Sequence, residues 1–309
     1  METLKTMTYD TTGPIARITL NRPERGNGIT LDLPVELTRC VERADLDPAV
    51  HVIALAGNGK GFCGGYDLVA SAERMRDDRE ATAARSFIPP GSAVDPAVTA
   101  RNHDPRGVWD PVIDYQMMAR NVRGFMSLFH SEKPVLCKVH GYCVAGGTDM
   151  ALCSDLLVIA EDAKIGYPPA RVWGSPTTAM WASRVGPMRA KRLLFTGDSL
   201  TGAEAEEWGL ATEAPPAVEL DERFERLLGR VAQMPINQLV MMKMLVNQGL
   251  YAQGLHQTQL LGTFFDGVAR HTEEGHGFVR RAAEGGFREA VRERDEPYGD
   301  HGLQGFGVE

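Results

Sequence analysis

Hydrophobic and polar positions along the chain predict short buried strands that alternate with amphipathic helices. Runs of apolar and β-branched residues predict strands at 15–20, 50–56, 135–139 and 156–160. The pattern predicts helices at 33–44, 114–128, 234–246 and 259–270, and the polar, charged segment 71–85 is also read as a helix. The repeated order of strand, glycine-containing turn and helix predicts an α/β core.

Two segments depart from this pattern. Residues 87–109 carry four prolines and two glycines without a sustained period, which predicts a long loop or flap. From about residue 220 the pattern becomes helical, and the charges and glycines of 284–309 suggest a segment that wraps around the core or frays. We therefore divide the chain into a core at 1–215, with the flap near 87–109, and a C-terminal helical region at 216–309.

Charge and composition exclude several classes of partner. The 309 residues include 33 Lys and Arg against 41 Asp and Glu, a formal net charge of −8, which argues against binding to nucleic acid or an anionic membrane. No apolar run approaches the roughly 20 residues that span a bilayer, and the first ten residues do not resemble a signal peptide. Five cysteines, an odd number, suggest reduced thiols. We expect a cytoplasmic protein.

Two motifs suggest chemistry that the surrounding sequence does not support. GKGFCG at 59–64 matches the dinucleotide fingerprint GxGxxG, but the charged helical pattern at 71–87 replaces the second strand and its acidic residue. Cys137, His140 and Cys143, with Cys153 further on, have spacings that suggest zinc, but they belong to an apolar strand and its exit turn. We predict neither a nicotinamide cofactor nor a metal.

A pair of glycine-rich turns is the stronger signal. GGYD at 64–67 and AGGTD at 145–149 each follow a predicted buried strand. Glycines let the backbone approach a ligand, and a helix that begins near Gly146 leaves unpaired N–H groups at its first turn. Two converging N–H donors would form an oxyanion hole, whereas on spacing alone the glycines could equally form tight turns.

Four ordered motifs resemble the crotonase superfamily, the enoyl-CoA hydratase and isomerase group, over residues 9–294. They are NRPERGN at 21–27, GFCGGYDL at 61–68, the segment from KPV at 133–135 to AGG at 145–147, and TGD at 196–198 with the following AEA and WGL. The resemblance implies a repeated ββα spiral core with a C-terminal helical region that packs between subunits of a homotrimer or a dimer of trimers. It also implies an acyl-CoA thioester as substrate, with coenzyme A as part of that substrate and no separate cofactor.

The resemblance assigns roles to three residues. The backbone N–H groups of Tyr66 and Gly146 would hold the thioester oxygen, and Asp149 would be the acid or base that the family's first glutamate provides. Asp149 is one methylene shorter than glutamate, and an apolar pocket would raise its pKa toward the working range. An acidic residue in a first helical turn also favours the helix dipole without any catalytic role.

Proline at position 169 departs from the family pattern. The family's second glutamate falls on Pro169, and the segment 167–177 contains no carboxylate. Asp149 could act with a relayed water, or Asp110, Asp114 or Tyr115 could enter the pocket. Two alternatives to hydration or isomerisation therefore stay open. One is another crotonase reaction, such as acyl-CoA hydrolysis, decarboxylation or C–C cleavage, and the other is an acyl-CoA-binding protein without activity.

Coenzyme A is highly anionic, so this acidic protein needs local positive charge to bind it. We expect Arg25 and Lys60, with Gly64 and Asp67 of the first turn, to contact the coenzyme A portion of the substrate. A second basic cluster, formed by Arg184, Arg189, Lys191 and Arg192, is the other candidate, although such runs usually form a solvated helix face.

Overall fold

The computed structural model describes residues 1–67 and 88–299. Its strands are β1 Glu2–Thr3, β2 Met7–Thr12, β3 Ile15–Leu20, β4 Val52–Gly57, β5 Val135–Val139, β6 Tyr142–Val144, β7 Leu156–Ile159, β8 Lys164–Gly166 and β9 Ser199–Thr201. Its helices are α1 Leu33–Leu46, α2 Pro96–Asn102, α3 Pro111–His130, α4 Gly146–Ala151, α5 Met180–Thr196, α6 Gly202–Glu207, α7 Leu220–Ala232, α8 Ile236–Ala252, α9 Leu255–Arg270, α10 Glu273–Gly285 and α11 Phe287–Asp295.

A six-stranded sheet forms the centre of the core, in the order β1-β2-β3-β4-β5-β7. The first two pairings are antiparallel, and the pairings from β3 to β7 are parallel. The four strands that the sequence predicts lie side by side in the parallel part, within three residues of their predicted bounds. Near-continuous apolar runs are typical of parallel strands that are covered on both faces, which is why the sequence identifies them.

A second sheet has three strands in the order β6-β8-β9. Strand β6 pairs parallel with β8, and β8 pairs antiparallel with β9. Each strand is three residues long, too short for an alternating pattern to stand out from its turns. The sequence predicts none of the three, although β6 leads directly into α4 and thereby positions the second glycine-rich turn.

The predicted helices at 33–44, 114–128, 234–246 and 259–270 correspond to α1, α3, α8 and α9. The observed helices are longer than predicted, and in α3 a cap outside the apolar pattern begins the helix. Asp110 caps α3 by accepting a hydrogen bond from the Val112 N–H at 2.9 Å, and Pro111 occupies the first helical position. The helix predicted at 71–85 lies outside the described residues.

Residues 88–109 are not irregular throughout, because α2 lies within them. Asp95 caps α2 by accepting from the Ala97 N–H at 2.9 Å, and Pro96 follows at the first helical position. The expectation of a continuous loop is wrong here for a local reason: an Asp-Pro cap begins a helix that is only seven residues long. Such a helix is too short to show a hydrophobic period.

The C-terminal segment 284–309, expected to wrap around the core or fray, packs onto it as far as residue 295. Residues 287–295 form α11, and Phe287 and Val291 pack against Phe278 in a small second cluster, whereas 300–309 lies outside the described residues. Asp295 at the end of α11 accepts a hydrogen bond from Arg171 Nη1 at 3.0 Å, and both side chains are 1% exposed. This buried ion pair fastens the C-terminal helices to the core.

None of the described helices is long and apolar enough to cross a membrane.

Candidate active site

The two glycine-rich turns meet beside the sheet. Val144 N donates to Cys63 O at 3.0 Å, and Phe62 N donates to Tyr142 O at 2.9 Å, so the first turn runs parallel to β6. A Cβ atom built on Gly65 would lie 3.6 Å from Gly146 N and 2.8 Å from Ala145 Cβ. The φ of Gly65 is +96°. The backbone of the first turn therefore packs directly against the start of α4, and only glycine fits there.

The hydrogen bonds around Tyr66 determine where its N–H group points. Gly65 O accepts from Ile29 N at 2.8 Å, and Asp67 N donates to Ile29 O at 3.0 Å. In a parallel bridge of this kind, the N–H group of the central residue points away from the partner strand. Within residues 1–67 and 88–299, the Tyr66 N–H has no hydrogen-bond acceptor.

Gly146 is the first residue of α4, so its N–H group has no acceptor within the helix. Ala145, which precedes it, has φ 53° and ψ −129°, a conformation that costs a non-glycine residue about 1–3 kcal/mol. Strain of this kind concentrates at functional sites. The start of α4 packs against Tyr66, because a Cβ built on Gly146 would lie 2.8 Å from Tyr66 Cε2.

Asn27, in the NRPERGN motif, holds the loop that carries the first turn. Its side-chain Nδ2 donates to Asn58 O, Gly61 O and Phe62 O at 2.8, 3.1 and 3.0 Å, and its Oδ1 accepts from Arg22 N at 2.9 Å. Asn27 is 2% exposed and has a φ of 53°, which asparagine tolerates better than most residues. The sequence identifies the motif but not this role.

Asp149 lies in the first turn of α4 and is 2% exposed. Its Oδ1 accepts from Thr178 N at 3.0 Å and from Thr178 Oγ1 at 2.9 Å, whereas Oδ2 is buried without a hydrogen-bond partner. Burial raises the pKa of the Asp149 carboxyl to about 7, because the hydrogen bonds from Thr178 offset only part of the desolvation. A carboxyl group with such a pKa can give or take a proton near neutral pH.

Two tyrosines and a second carboxyl group share this interior. The Tyr66 hydroxyl is buried close to the Asn121 side chain but without hydrogen-bond geometry. Burial, and then the carboxylates of Asp149 and Asp266, raise the pKa of Tyr66 well above its usual value. The same causes act on Tyr167, whose hydroxyl donates to Ser175 O at 2.8 Å. Asp266, on α9, is absent from our sequence-based set of site residues.

Of the three residues considered as replacements for the second glutamate, Asp110 caps α3 and Tyr115 is half-buried beside it. Asp114 is 1% exposed and lies at the centre of a polar cluster. The cluster surrounds its carboxylate with Asn102 Nδ2 at 3.0 Å, His103 Nε2 at 3.2 Å, Trp109 Nε1 at 2.6 Å, Arg270 Nη2 at 3.2 Å and His271 Nδ1 at 3.5 Å. These groups hold the Asp114 pKa below its usual value.

His103, Asp114 and His271 place three possible metal-ligand atoms within 4.8 Å of one another. Their surroundings do not suit a metal. Arg270 Nη1 lies 3.2 Å from His103 Nε2, so a cationic guanidinium occupies one side of the cluster. Both ring nitrogens of His271 face carbonyl oxygens, Gly267 O at 2.8 Å and Asn102 O at 3.0 Å, which can only accept hydrogen bonds.

Pro169 lies in a single 3₁₀ turn, Pro168–Arg171, and is half-buried. The polar side chain nearby, Arg171, points away from the site. Its Nε donates to Thr196 O at 2.8 Å, and its guanidinium pairs with Asp198 and Asp295. The TGD motif therefore has a structural role, because Asp198 anchors Arg171.

The residues expected to contact coenzyme A differ in their surroundings. Arg25, Lys60 and Gly64 are exposed at the surface of the loop that carries the first turn. The carboxylate of Asp67 is 5% exposed and pairs with Arg22 Nη2 at 2.9 Å. Asp67 thus holds the loop through Arg22, and contact of Arg25, Lys60 and Gly64 with coenzyme A stays a prediction.

The four residues of the alternative basic cluster differ. Arg184 is partly buried and donates to Leu152 O at 2.7 Å, whereas Arg189, Lys191 and Arg192 are exposed. The five cysteines are free and buried, and burial raises the pKa of the Cys63 thiol to about 12. His140 Nε2 lies 2.8 Å from Gly59 O. The His140 side chain therefore contacts the loop that carries the first turn and does not face the cysteines whose spacing suggests zinc.

Together, the spiral α/β core, the paired glycine turns and the buried acid define a protein of the crotonase superfamily. Residues 10–88 and 112–282 match the family model for enoyl-CoA hydratase/isomerase, and the chain belongs to this family of enzymes.

Individual relatives agree with this assignment. The crystal structure of an enoyl-CoA hydratase from Mycobacterium smegmatis is 56% identical and superposes with a TM-score of 0.90, covering 99% of this chain and 98% of that one. EchA13 of Mycobacterium tuberculosis is 30% identical over 250 residues, 78% of this chain and 73% of that protein. The 1,2-epoxyphenylacetyl-CoA isomerase of Escherichia coli is 26% identical over 242 residues, 75% of this chain and 78% of that protein.

Proposed function

We propose that the protein is an acyl-CoA enzyme that moves a proton at the α-carbon of an enoyl-CoA thioester. The single observation that carries this proposal is the Asp149 carboxyl. It is buried one turn beyond the Gly146 N–H, has one oxygen without a partner and has a pKa of about 7. The Tyr66 and Gly146 N–H groups would hold the thioester oxygen as it becomes negative, which is worth about 3–4 kcal/mol of transition-state stabilisation per donor.

Hydration is the leading reaction. Water adds its oxygen to the β-carbon, and the α-carbon, an enolate after that addition, takes a proton from the Asp149 carboxyl. The proton that water loses returns to Asp149, so the group ends in its starting state. Similarity to the M. smegmatis structure, described as an enoyl-CoA hydratase, supports this choice.

Isomerisation is the second candidate, and Pro169 favours it. Moving a double bond requires one group that takes a proton from one carbon and returns it to another, so a single carboxyl suffices. Asp149 would remove a proton from the α-carbon of a 3-enoyl-CoA and deliver it to the γ-carbon. Hydration is ordinarily shared between two carboxyl groups, and position 169 supplies none.

A product assay distinguishes these reactions. The protein is incubated with short and long trans-2-enoyl-CoA and 3-enoyl-CoA esters, alongside an active hydratase as control, and the products are analysed by mass spectrometry. Gain of one water supports hydration, and a conjugated product of unchanged mass supports isomerisation. Free coenzyme A, loss of carbon dioxide or chain cleavage would instead indicate hydrolysis, decarboxylation or C–C lysis. Binding without any product would indicate an acyl-CoA-binding protein without activity.

We also propose that the protein forms a homotrimer or a dimer of trimers. Helices α8 and α9 present large apolar side chains to solvent in the single chain, more than an isolated globular protein usually exposes. The exposed residues are Met241, Met242, Met244, Leu245 and Val246 on α8, and Leu260, Leu261, Phe264 and Phe265 on α9. We call these nine residues the α8–α9 apolar surface. A cytoplasmic location stays a prediction.

A further inference from the structure

Helix α9 lies along the loop that holds Asp149. Its Gln259 Nε2 donates to Thr178 O at 2.9 Å, and its Thr263 Oγ1 donates to Thr177 O at 3.4 Å. One turn further along the same face lies the Asp266 carboxyl; burial raises its pKa, and Arg270 and the nearby Ser175 N–H offset part of that rise. Residues 259, 263 and 266 follow the i, i+4, i+7 spacing of one helix face, and all three are buried. Successive turns of α9 therefore hold successive residues of the loop.

Asp266 has a cationic partner that Asp149 lacks. Arg270 Nε lies 3.1 Å from Asp266 Oδ2, and Arg270 Nη2 lies 3.2 Å from Asp114 Oδ1. Asp266 is 7% exposed, so both carboxyl groups belong to the same water-poor interior. When two carboxyl groups interact in such an interior, the one beside a cation ionises first, and its charge then opposes ionisation of the other.

Other titratable groups also face this pair. Those that influence Asp149, besides Asp266, are the hydroxyls of Tyr66 and Tyr167 and the thiols of Cys143 and Cys153. Burial raises the pKa of each of these four groups, so all four are neutral near pH 7. Arg270 and Asp114 face Asp266. Burial raises the pKa of Asp266 as well, but Arg270 opposes that rise, so Asp266 is the carboxyl of the pair that ionises first, and its charge then acts on Asp149.

We propose that Asp266 is a positioning residue for Asp149. Helix α9 carries it into the interior that holds Asp149, and its negative charge favours the protonated form of Asp149, the form that delivers a proton to the α-carbon. Asp266 thus supplies, from the C-terminal helices, a second carboxylate in a site whose Pro169 position has none. The inference rests on the proposed function only for the role of Asp149 as the acid or base.

The test is the pH dependence of kcat/KM for the wild type and four variants. Asp266→Asn keeps the shape and an oxygen acceptor but removes the charge, and Asp266→Ser is a second neutral variant in case the first fails to fold. Asp266→Glu retains the charge. Gln259→Met is the matched control, because it removes a hydrogen bond from the same face of α9 without changing any charge.

In both neutral variants, the inflection assigned to Asp149 should move to lower pH by about one unit, the order of effect of one nearby like charge. Asp266→Glu should keep it near the wild-type position. Gln259→Met should lower the thermal stability but leave the inflection unmoved. An unmoved inflection in the neutral variants, or an equal movement in Gln259→Met, would overturn the proposal.

A second readout separates this inference from the proposed function. Carboxyl ¹³C signals of aspartate-labelled full-length protein are titrated by NMR without substrate, and the Asp149 signal is assigned by its loss in Asp149→Asn. If no acyl-CoA ester is turned over, the proposed function fails, but the titration still measures Asp149. An Asp149 titration point that Asp266→Asn leaves in place would contradict the inference even if the enzyme is active.

Discussion

Thr178 donates both its backbone N–H and its hydroxyl to the same oxygen of Asp149, Oδ1, at 3.0 and 2.9 Å. The other oxygen, Oδ2, is buried and has no partner. One half of the carboxyl group is therefore fixed in position, and the other half is left for a reacting proton. The proposed role of Asp149 as an acid or base requires such an unpaired oxygen, whereas a favourable interaction with the helix dipole does not.

The first prediction concerns pH and stability. The pKa of Asp149 is raised to about 7 in the folded protein, and its usual value is 3.8. Between these values the unfolded chain is ionised while the folded protein keeps its proton, so stability falls as pH rises from about 4 to about 7 and then levels off. At roughly 1.4 kcal/mol per pH unit, the loss is on the order of 4 kcal/mol.

Asp149→Asn removes this pH dependence. The stability of the variant relative to that of the wild type should therefore be greater at pH 8 than at pH 5. Urea unfolding at the two pH values measures the change. Asp221→Asn is the control, because Asp221 is exposed, pairs with Lys138 and has a lowered pKa. A stability difference between Asp149→Asn and the wild type that is the same at both pH values would contradict the raised pKa.

The second prediction concerns the contact between the two turns. Gly65→Ala would place a Cβ 2.8 Å from Ala145 Cβ at a φ of +96°, so the turn must shift. Displacing one oxyanion donor costs about 10²–10³ in kcat, and we expect kcat to fall by that order. Gly229→Ala, on α7, meets no atom within 4 Å and should keep wild-type kcat. Equal kcat values for the two variants would show that the Tyr66 N–H does not contribute.

The third prediction concerns Asn27. Asn27→Ala leaves buried carbonyl groups on the loop without donors, at about 1–3 kcal/mol each. The free energy of unfolding should fall by about 2–4 kcal/mol. Asn58→Ala removes one exposed hydrogen bond, from Asn58 Nδ2 to Asn21 Oδ1. This change should alter the free energy of unfolding by less than about 0.5 kcal/mol. Urea unfolding compares the two variants, and similar losses would mean that Asn27 does not hold the loop.

The fourth prediction concerns assembly. Leu245 and Val246 are 69% and 68% exposed within the α8–α9 apolar surface. Replacing both with Glu places charges where subunits would meet, so light scattering during size-exclusion chromatography should detect monomers. Met188→Glu, at a position that is 79% exposed on α5, is the control and should retain the wild-type mass. If the double variant still forms trimers, the subunits must contact each other through another surface.

The sequence predicts the parallel strands and the two turns because their signals are local. Each strand is a continuous apolar run, and each turn has its glycines together. The short strands β6, β8 and β9 have no such signal. Helix α2 does have one, the Asp95-Pro96 cap, but the prolines around it suggest an irregular loop more strongly.

Asp149 could be identified from its place after Gly146, whereas Asp266 could not. The two carboxyl groups are far apart in the chain, and only the packing of α9 against residues 175–178 brings them into one interior. The available signal was the helical spacing of three polar residues, Gln259, Thr263 and Asp266, on a predicted amphipathic helix. A buried polar residue requires a partner, and in this fold the partner of Asp266 is Arg270.

In the proposed function, the N–H groups of Tyr66 and Gly146 stabilise a thioester enolate and Asp149 protonates it. The most direct test is exchange of the α-protons of a saturated acyl-CoA in D₂O, followed by mass spectrometry, because exchange requires those groups alone and no second carboxyl. We predict exchange by the wild type and a loss of about 10²–10⁴-fold in Asp149→Asn, with acyl-CoA binding retained. Equal exchange by the two proteins, or no exchange by a wild type that binds the ester, would contradict the account.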